Sequence, residues 1–230
     1  MDADTQIGGH NERFPDTRPS AISAAASDDQ SRRGPGQEAL ISAYWKPVYR
    51  YIRIRWRCSN EDAKDLTQDF FTAAIEKNLF NGYDAQRGTF RTFLRVCLDR
   101  FLSNSRKFAS RQKRSAELVE VDDVAGVESP EGTFEREWTR SVFEDAVEEL
   151  RANFQARGRD VVFAVFERYD LAEDPASYQQ LASEFCITST AVTNYLAAAR
   201  RELRKLVLAR VRSVTSGDRE FRREARAILT

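Results

Sequence analysis

The sequence predicts an all-α chain: two small helical domains joined by an acidic flexible linker, the second domain a helix-turn-helix. Three observations carry this. Apolar residues recur at helical spacing from Gln37 to about Arg114 and again from about Arg136 to Arg212. From Gln37 to about Arg114 the helical pattern prevails over strand-like alternation. Charge is distributed in blocks. Asp84 to Arg114 holds nine basic residues and two acids, Glu117 to Glu149 holds twelve acids and two arginines, and Arg200 to Arg212 holds six basic residues and one acid. The formal net charge is zero, so the blocks and not the total are informative. Hydrophobic residues make up 41%, enough for a core, and charged residues 31%, which points to exposed helices and a charged partner.

Residues 1–36 are rich in Ser, Ala, Asp, Gly and Pro and are expected to form a disordered tail. The first domain is expected over 37–115. It opens with "QEALISAYWKPVYRYIRIRWR", a helix that Pro47 kinks or splits. Ser59 with Asp62 resembles a capping box that starts the next helix, "NEDAKDLTQDFF", at 60–71. Wound at about 100° per residue, it places Glu61, Asp62, Asp65, Asp69 and, one turn on, Glu76 on one side. Ala63, Leu66, Phe70 and Ala74 fall on the other, with Thr67 and Phe71 on its shoulder.

"NGYDAQRG", 81–88, reads as a loop from its Asn-Gly and Arg-Gly pairs. A helix is expected over 92–111, with Leu94, Cys97, Leu98, Phe101 and Phe108 buried. Arg100, Asn104, Lys107 and Arg111 form a second stripe, spaced to reach along one nucleic-acid groove; a merely solvated basic face is the alternative. The preceding loop brings Tyr83, Arg87, Phe90 and Arg91 together. Aromatic and arginine planes stack on an unpaired base at about 1–3 kcal/mol per base, so this loop beside that helix suits melted DNA.

Residues 116–135 are acidic and low in periodicity, an exposed linker. The second domain is expected over 136–212. In it "SYQQLASEFCITSTAVTNYLAAARREL" reads as helix-turn-helix. Leu181, Ala182 and Phe185 supply one packing face and Cys186 to Thr188 the turn, with Thr188 as N-cap. Val192, Leu196, Ala199 and Leu203 line the buried side of the second helix. Ser189, Thr190, Thr193, Asn194 and Ala197 then face the major groove, with Arg200, Arg201 and Arg204 near phosphates; a plain helical hairpin is the alternative. Residues 213–230 form a tail or one short helix, with Phe221, Ala225 and Ile228 on a face.

The three cysteines, Cys58, Cys97 and Cys186, form no CxxC pair, and the chain has one histidine, His10, so a metal site is not expected. Cysteine usage fits a reducing cytoplasm. No run approaches the roughly 18 apolar residues of a membrane span. Without a catalytic cluster, no enzyme activity and no cofactor are expected.

At "NEDAKDLTQDFF", "GTFRTFLRVCLDRFLSNSRKFASRQKR" and "SYQQLASEFCITSTAVTNYLAAARREL", in this order, the chain resembles a bacterial RNA polymerase sigma factor of the extracytoplasmic-function (ECF) type, over about 37–210. The resemblance implies a promoter-specificity factor whose partners are promoter DNA and core RNA polymerase, through the β′ clamp coiled coil and the β flap. It implies that Asp62, Asp65, Gln68, Asp69 and Glu76 meet the clamp. It implies that Tyr83, Arg87, Thr89, Phe90, Arg91 and Arg95, with the Arg100–Arg111 stripe, hold the minus-ten element. The helix-turn-helix would read the minus-thirty-five element, and the linker would lie in the RNA path. The rival is a stand-alone helix-turn-helix regulator.

The chain departs from the family pattern at Arg100, where Asn is frequent, and at Asn104, where Asp is. Cys186 stands where Gly makes the turn, and Thr193 and Tyr195 replace frequent basic residues. Thr67 stands where an aliphatic residue is usual. The "DLTQ.FF" form resembles a kinase-associated subgroup, which implies a Ser/Thr kinase as partner and Thr67 as phosphorylation site. A phosphate would add about −1.5 to −2 of charge beside the acidic face. The alternative is a Thr packed on the apolar shoulder, bonded to the carbonyl of Ala63.

Overall fold

A computed structural model describes residues 20–105 and 129–229, and every described element is helical. Helix α1 (Ala21–Ala25) leads into α2 (Gln30–Arg55) and α3 (Asn60–Glu76). A short turn over 79–82 precedes α4 (Phe90–Asn104). Then come α5 (Pro130–Ala156), α6 (Asp160–Phe166), α7 (Tyr178–Glu184), α8 (Ser189–Ser213) and α9 (Asp218–Leu229). The all-α expectation therefore holds throughout the described residues.

Local chemistry explains most boundaries. Ser59 caps α3 by accepting from the Asp62 amide at 3.1 Å, and Glu61 and Asp62 in the first turn complement the helix dipole. Thr89 caps α4 by accepting from the Thr92 amide at 3.2 Å. Ser129 caps α5, with Pro130 in the first turn where its missing N–H costs nothing. Ser177 and Gln180 close a full capping box on α7.

Three expectations are corrected. Residues 20–36 are not a loose tail. They form α1 and the opening of α2, with Ile22, Ala25, Gly36 and Gln37 buried. A Cβ at Gly36 would lie 2.4 Å from the Ala25 nitrogen, so glycine alone lets the two helices touch here. The small residues that lower sequence hydrophobicity are the ones a close helix contact needs. Pro47 does not split α2, which runs unbroken past both Pro35 and Pro47. Finally, α4 starts at Phe90, two residues earlier than expected, and ends at Asn104 with Ser105 extended; residues 106–111 of the helix predicted over 92–111 lie outside the described residues.

The two helical groups pack against each other. One core takes Leu40, Tyr44, Tyr51, Phe70, Phe90 and Leu98 from the first group, and also Phe134, Trp138, Val142, Val207, Val211 and Ile228 from α5, α8 and α9. A second core joins α5 through α8 around Phe154, Phe163, Phe166, Leu181 and Leu196. Acids of α5 and bases of α2 tie the groups further: Lys46–Asp145 at 2.6 Å and Arg50–Glu144 at 2.8 Å. The expected linker segment 116–135 ends early, because 130–135 already belong to α5 and Phe134 is buried. Phe134 packs edge-on against Tyr51 at 5.4 Å. Residues 116–128 lie outside the described residues.

Candidate functional site

Helix α3 sets out its acids as its period requires. Asp65, Gln68, Asp69 and Glu76 are exposed and Asp62 is half-buried, all along the side away from Ala63, Leu66, Phe70 and Ala74. Lys64, ion-paired to Glu61 at 3.3 Å, is the only base among the residues of this helix. Beside it runs a shallow groove lined by Ile41, Trp45 and Ile75, with Trp45 stacked on Phe71 at 5.8 Å. Thr67 is fully buried, and its hydroxyl donates to the Ala63 carbonyl at 2.6 Å. This is the geometry of the packing alternative. A kinase would need the hydroxyl in solvent, and here it is spent inside the helix.

The loop and α4 do not present the predicted base-binding set. Phe90 is a core residue, 5.5 Å from Tyr44 and 6.1 Å from Phe80. Thr89 is buried as a cap. Tyr83 is half-buried, edge-on to Phe90 at 5.3 Å, and its hydroxyl donates to the Gly88 carbonyl at 3.1 Å. Burial, with the charge of Glu220 adding to it, pushes its phenol up to about 12. Arg87 alone of the loop set is exposed, paired loosely to Asp84 at 3.4 Å.

Arg91 is the clearest correction. It is buried, with its guanidinium 2.7 Å from Glu224, 3.1 Å from Glu135 and 4.6 Å from the Trp138 ring centre. It joins α4, α5 and α9 and has no surface left for a phosphate or a base. Arg95 is likewise occupied, by Asp99 at 2.9 Å and by Glu131. Asp99 also accepts from the Tyr51 hydroxyl at 2.8 Å. Arg100 and Asn104 are exposed as expected. Lys107 and Arg111 lie outside the described residues.

Sequence reasoning missed the acids of α9. Glu220 Oε1 accepts from the Phe90 amide at 2.8 Å, which caps α4 from another helix. Its Oε2 accepts from the Ser216 amide at 2.7 Å and from the Ser216 hydroxyl at 2.6 Å. Glu224 is buried against Arg91, yet neither of its oxygens, nor Arg91 Nε, makes an aligned hydrogen bond. Burial therefore outweighs the pairing and holds the Glu224 carboxyl above the ordinary glutamate range. The available signal was the spacing of Glu220, Glu224 and Ile228, one face of a helix, but acids on such a face read as solvated.

The helix pair α7–α8 follows the expected pattern closely. Cys186 adopts a left-handed backbone, φ 52°, which costs a non-glycine residue about 1 kcal/mol. Thr188 caps α8 by accepting from the Ala191 amide at 3.1 Å. Leu181, Val192, Leu196 and Ala199 are buried, while Ser189, Thr190, Thr193, Asn194, Ala197, Arg201 and Arg204 are exposed together. Arg200 departs from its expected role. Its guanidinium makes two bonds to Asp170, at 2.9 and 2.7 Å, and lies over Tyr169 at 5.6 Å.

Among the described residues no three His, Cys, Asp or Glu side chains converge as a metal site requires, and no helix is long and apolar enough to cross a membrane. No protein-family model matches the chain, and no curated protein or solved structure matches it either.

Proposed function

We propose that the chain is a promoter-specificity factor of the sigma type, a non-enzymatic protein that joins core RNA polymerase and directs it to promoter DNA. The observation that carries this reading is the α3 face. A row of exposed carboxylates is not a DNA-contacting face, since it repels phosphate. A cationic protein surface gains encounter rate and register from them. The apolar groove at Ile41, Trp45 and Ile75 beside that row suits a protein partner, which needs an apolar centre within a polar rim. The exposed polar face of α8, flanked by Arg201 and Arg204, supplies the duplex-reading surface. Free cysteines at 58, 97 and 186 suit work in a reducing cytoplasm.

In this reading the described arrangement is a resting one. The loop over 81–92 meets a flipped base only after Tyr83, Phe90 and Arg91 leave their present partners, so engagement with polymerase must part α9 and α5 from α4. Phosphorylation is not invoked, because a kinase reaches Thr67 only if α3 opens.

The internal use of Phe90 and Arg91 favours a second reading, a stand-alone regulator that binds duplex DNA through α8. Run-off transcription with purified core polymerase separates the two. The first reading predicts promoter-dependent transcripts that require the chain. Duplex binding without any transcript would establish the second.

A further inference from the structure

We infer that α8 selects A·T base pairs, with Asn194 as the residue that recognises adenine and the methyl groups of Thr193 and Ala197 as the surface that meets thymine. The inference rests on reading α8 as a duplex-reading helix, which both functional readings above share, and it goes further by naming the bases.

More than exposure sets α8 out for this task. Helix α7 ends at Cys186, whose backbone is left-handed, and in the two bonds of a Schellman turn. The Cys186 amide donates to the Ser183 carbonyl at 3.3 Å, and the Ile187 amide donates to the Ala182 carbonyl at 2.9 Å. The next residue, Thr188, caps α8. Leu181 of α7 shares a core with Val192, Leu196 and Ala199 of α8. The turn and the shared core together fix the face that α8 presents. Wound at about 100° per residue, Thr190, Thr193, Asn194, Ala197, Arg201 and Arg204 fall within about 100° of one another, and all six are exposed. Glu202, the one acid of α8, lies on another side and pairs with Arg157 at 3.9 Å. The face is therefore uncharged over the first two turns, the part of a recognition helix that meets base edges, and basic beyond them, where phosphates lie.

The chemistry of each side chain decides which bases fit. The Asn194 carboxamide is exposed and makes no hydrogen bond within the described residues. It holds a donor beside an acceptor, the pair that matches N7 and the N6 amine of adenine in the major groove. The Thr193 hydroxyl donates to the Ser189 carbonyl at 3.2 Å, so what Thr193 offers outward is its methyl. Ala197 has nothing but a methyl. Both suit the thymine C5-methyl. Guanine calls for an Arg or Lys on O6 and N7, and cytosine for an Asp or Glu on N4. The first two turns of α8 carry neither. Arg200, the first base along the helix, is held by Asp170 through two bonds, at 2.9 and 2.7 Å, and lies over Tyr169. Ser189 and Thr190 hydroxyls fit either pair and do not discriminate.

The test is selection of duplexes by the full chain from a pool with a randomised centre, followed by fluorescence anisotropy on the selected duplex. The selected duplexes should share an adenine, and replacing its A·T pair by G·C should weaken binding about five- to a hundredfold. The deaza analogue of that adenine, which lacks the N7 acceptor, should weaken binding of the wild type and leave Asn194→Ala indifferent. Asn194 is exposed, so this variant should melt with the wild type. It should lose the base preference and keep the slope of log K against log salt. Arg201→Gln should do the reverse, keeping the preference and making the slope shallower by about 0.9. Selected sites built of G·C pairs, or an adenine preference that survives Asn194→Ala as readout of DNA shape would, overturn the inference and leave α8 a duplex reader. Retention of no duplex from the pool overturns both.

Discussion

Helix α3 and helix α4 look alike in the sequence, each an amphipathic stretch with a charged stripe, yet the fold uses their charges in opposite ways. Asp65, Asp69 and Glu76 of α3 are exposed at the surface. The arginines at the start of α4 are covered by α5 and α9 and become internal counter-ions. A helix wheel tells which residues share a face, but it does not tell what will cover that face. The difference matters for function, because a charge in water is available to a partner and a charge in a buried pair has been used already.

The largest expected effect breaks the α4 side of this contrast. Arg91→Ala strips the counter-ion from Glu224 and Glu135 and removes the cation from the Trp138 ring. Loss of one partner of a buried pair costs about 3–5 kcal/mol. Thermal or urea unfolding should show it plainly, whereas Arg201→Ala, at an exposed site, should change stability by less than about 0.5 kcal/mol. Equal, small losses in both would erase the distinction between the two kinds of arginine.

Next comes Glu220→Ala. It leaves the Phe90 amide buried without an acceptor, at a cost of about 1–3 kcal/mol. Hydrogen exchange should quicken at Phe90 and in the first turn of α4 before it does so in α3. A uniform change along the chain would argue against a local clasp.

The pH dependence should be smaller still. Glu224 holds its proton more strongly folded than unfolded, so its contribution to stability is fully present below the ordinary glutamate value near 4.5. It is lost as pH rises through the raised folded value. Glu224→Gln should remove that decline. A variant whose stability still declines over the same window would place the titration elsewhere.

Much of this was legible locally. The face of α3, its Ser59 cap and the Thr188 cap depend on residues within a turn of one another, and the sequence displays them directly. The contact of α1 with α2 was not legible, because Gly36 and the alanines that permit it resemble linker composition. The Arg91–Glu224 pair was hidden for a different reason. Its partners are far apart in the chain, and an isolated arginine beside aromatic residues carries the same pattern whether it will meet a nucleic acid or a buried carboxylate. Thr67 shows the same limit at short range: the shoulder of a helix is solvent in one fold and core in another, and here it is core.

The most direct test of the central claim is the binding of the full chain to purified core RNA polymerase, compared with Asp65→Lys/Asp69→Lys. Both positions are exposed, so the variant should fold with a melting temperature close to wild type. The wild-type chain should co-elute with the polymerase, and the folded variant should not. Co-elution of both to the same extent would contradict the role assigned to the α3 face.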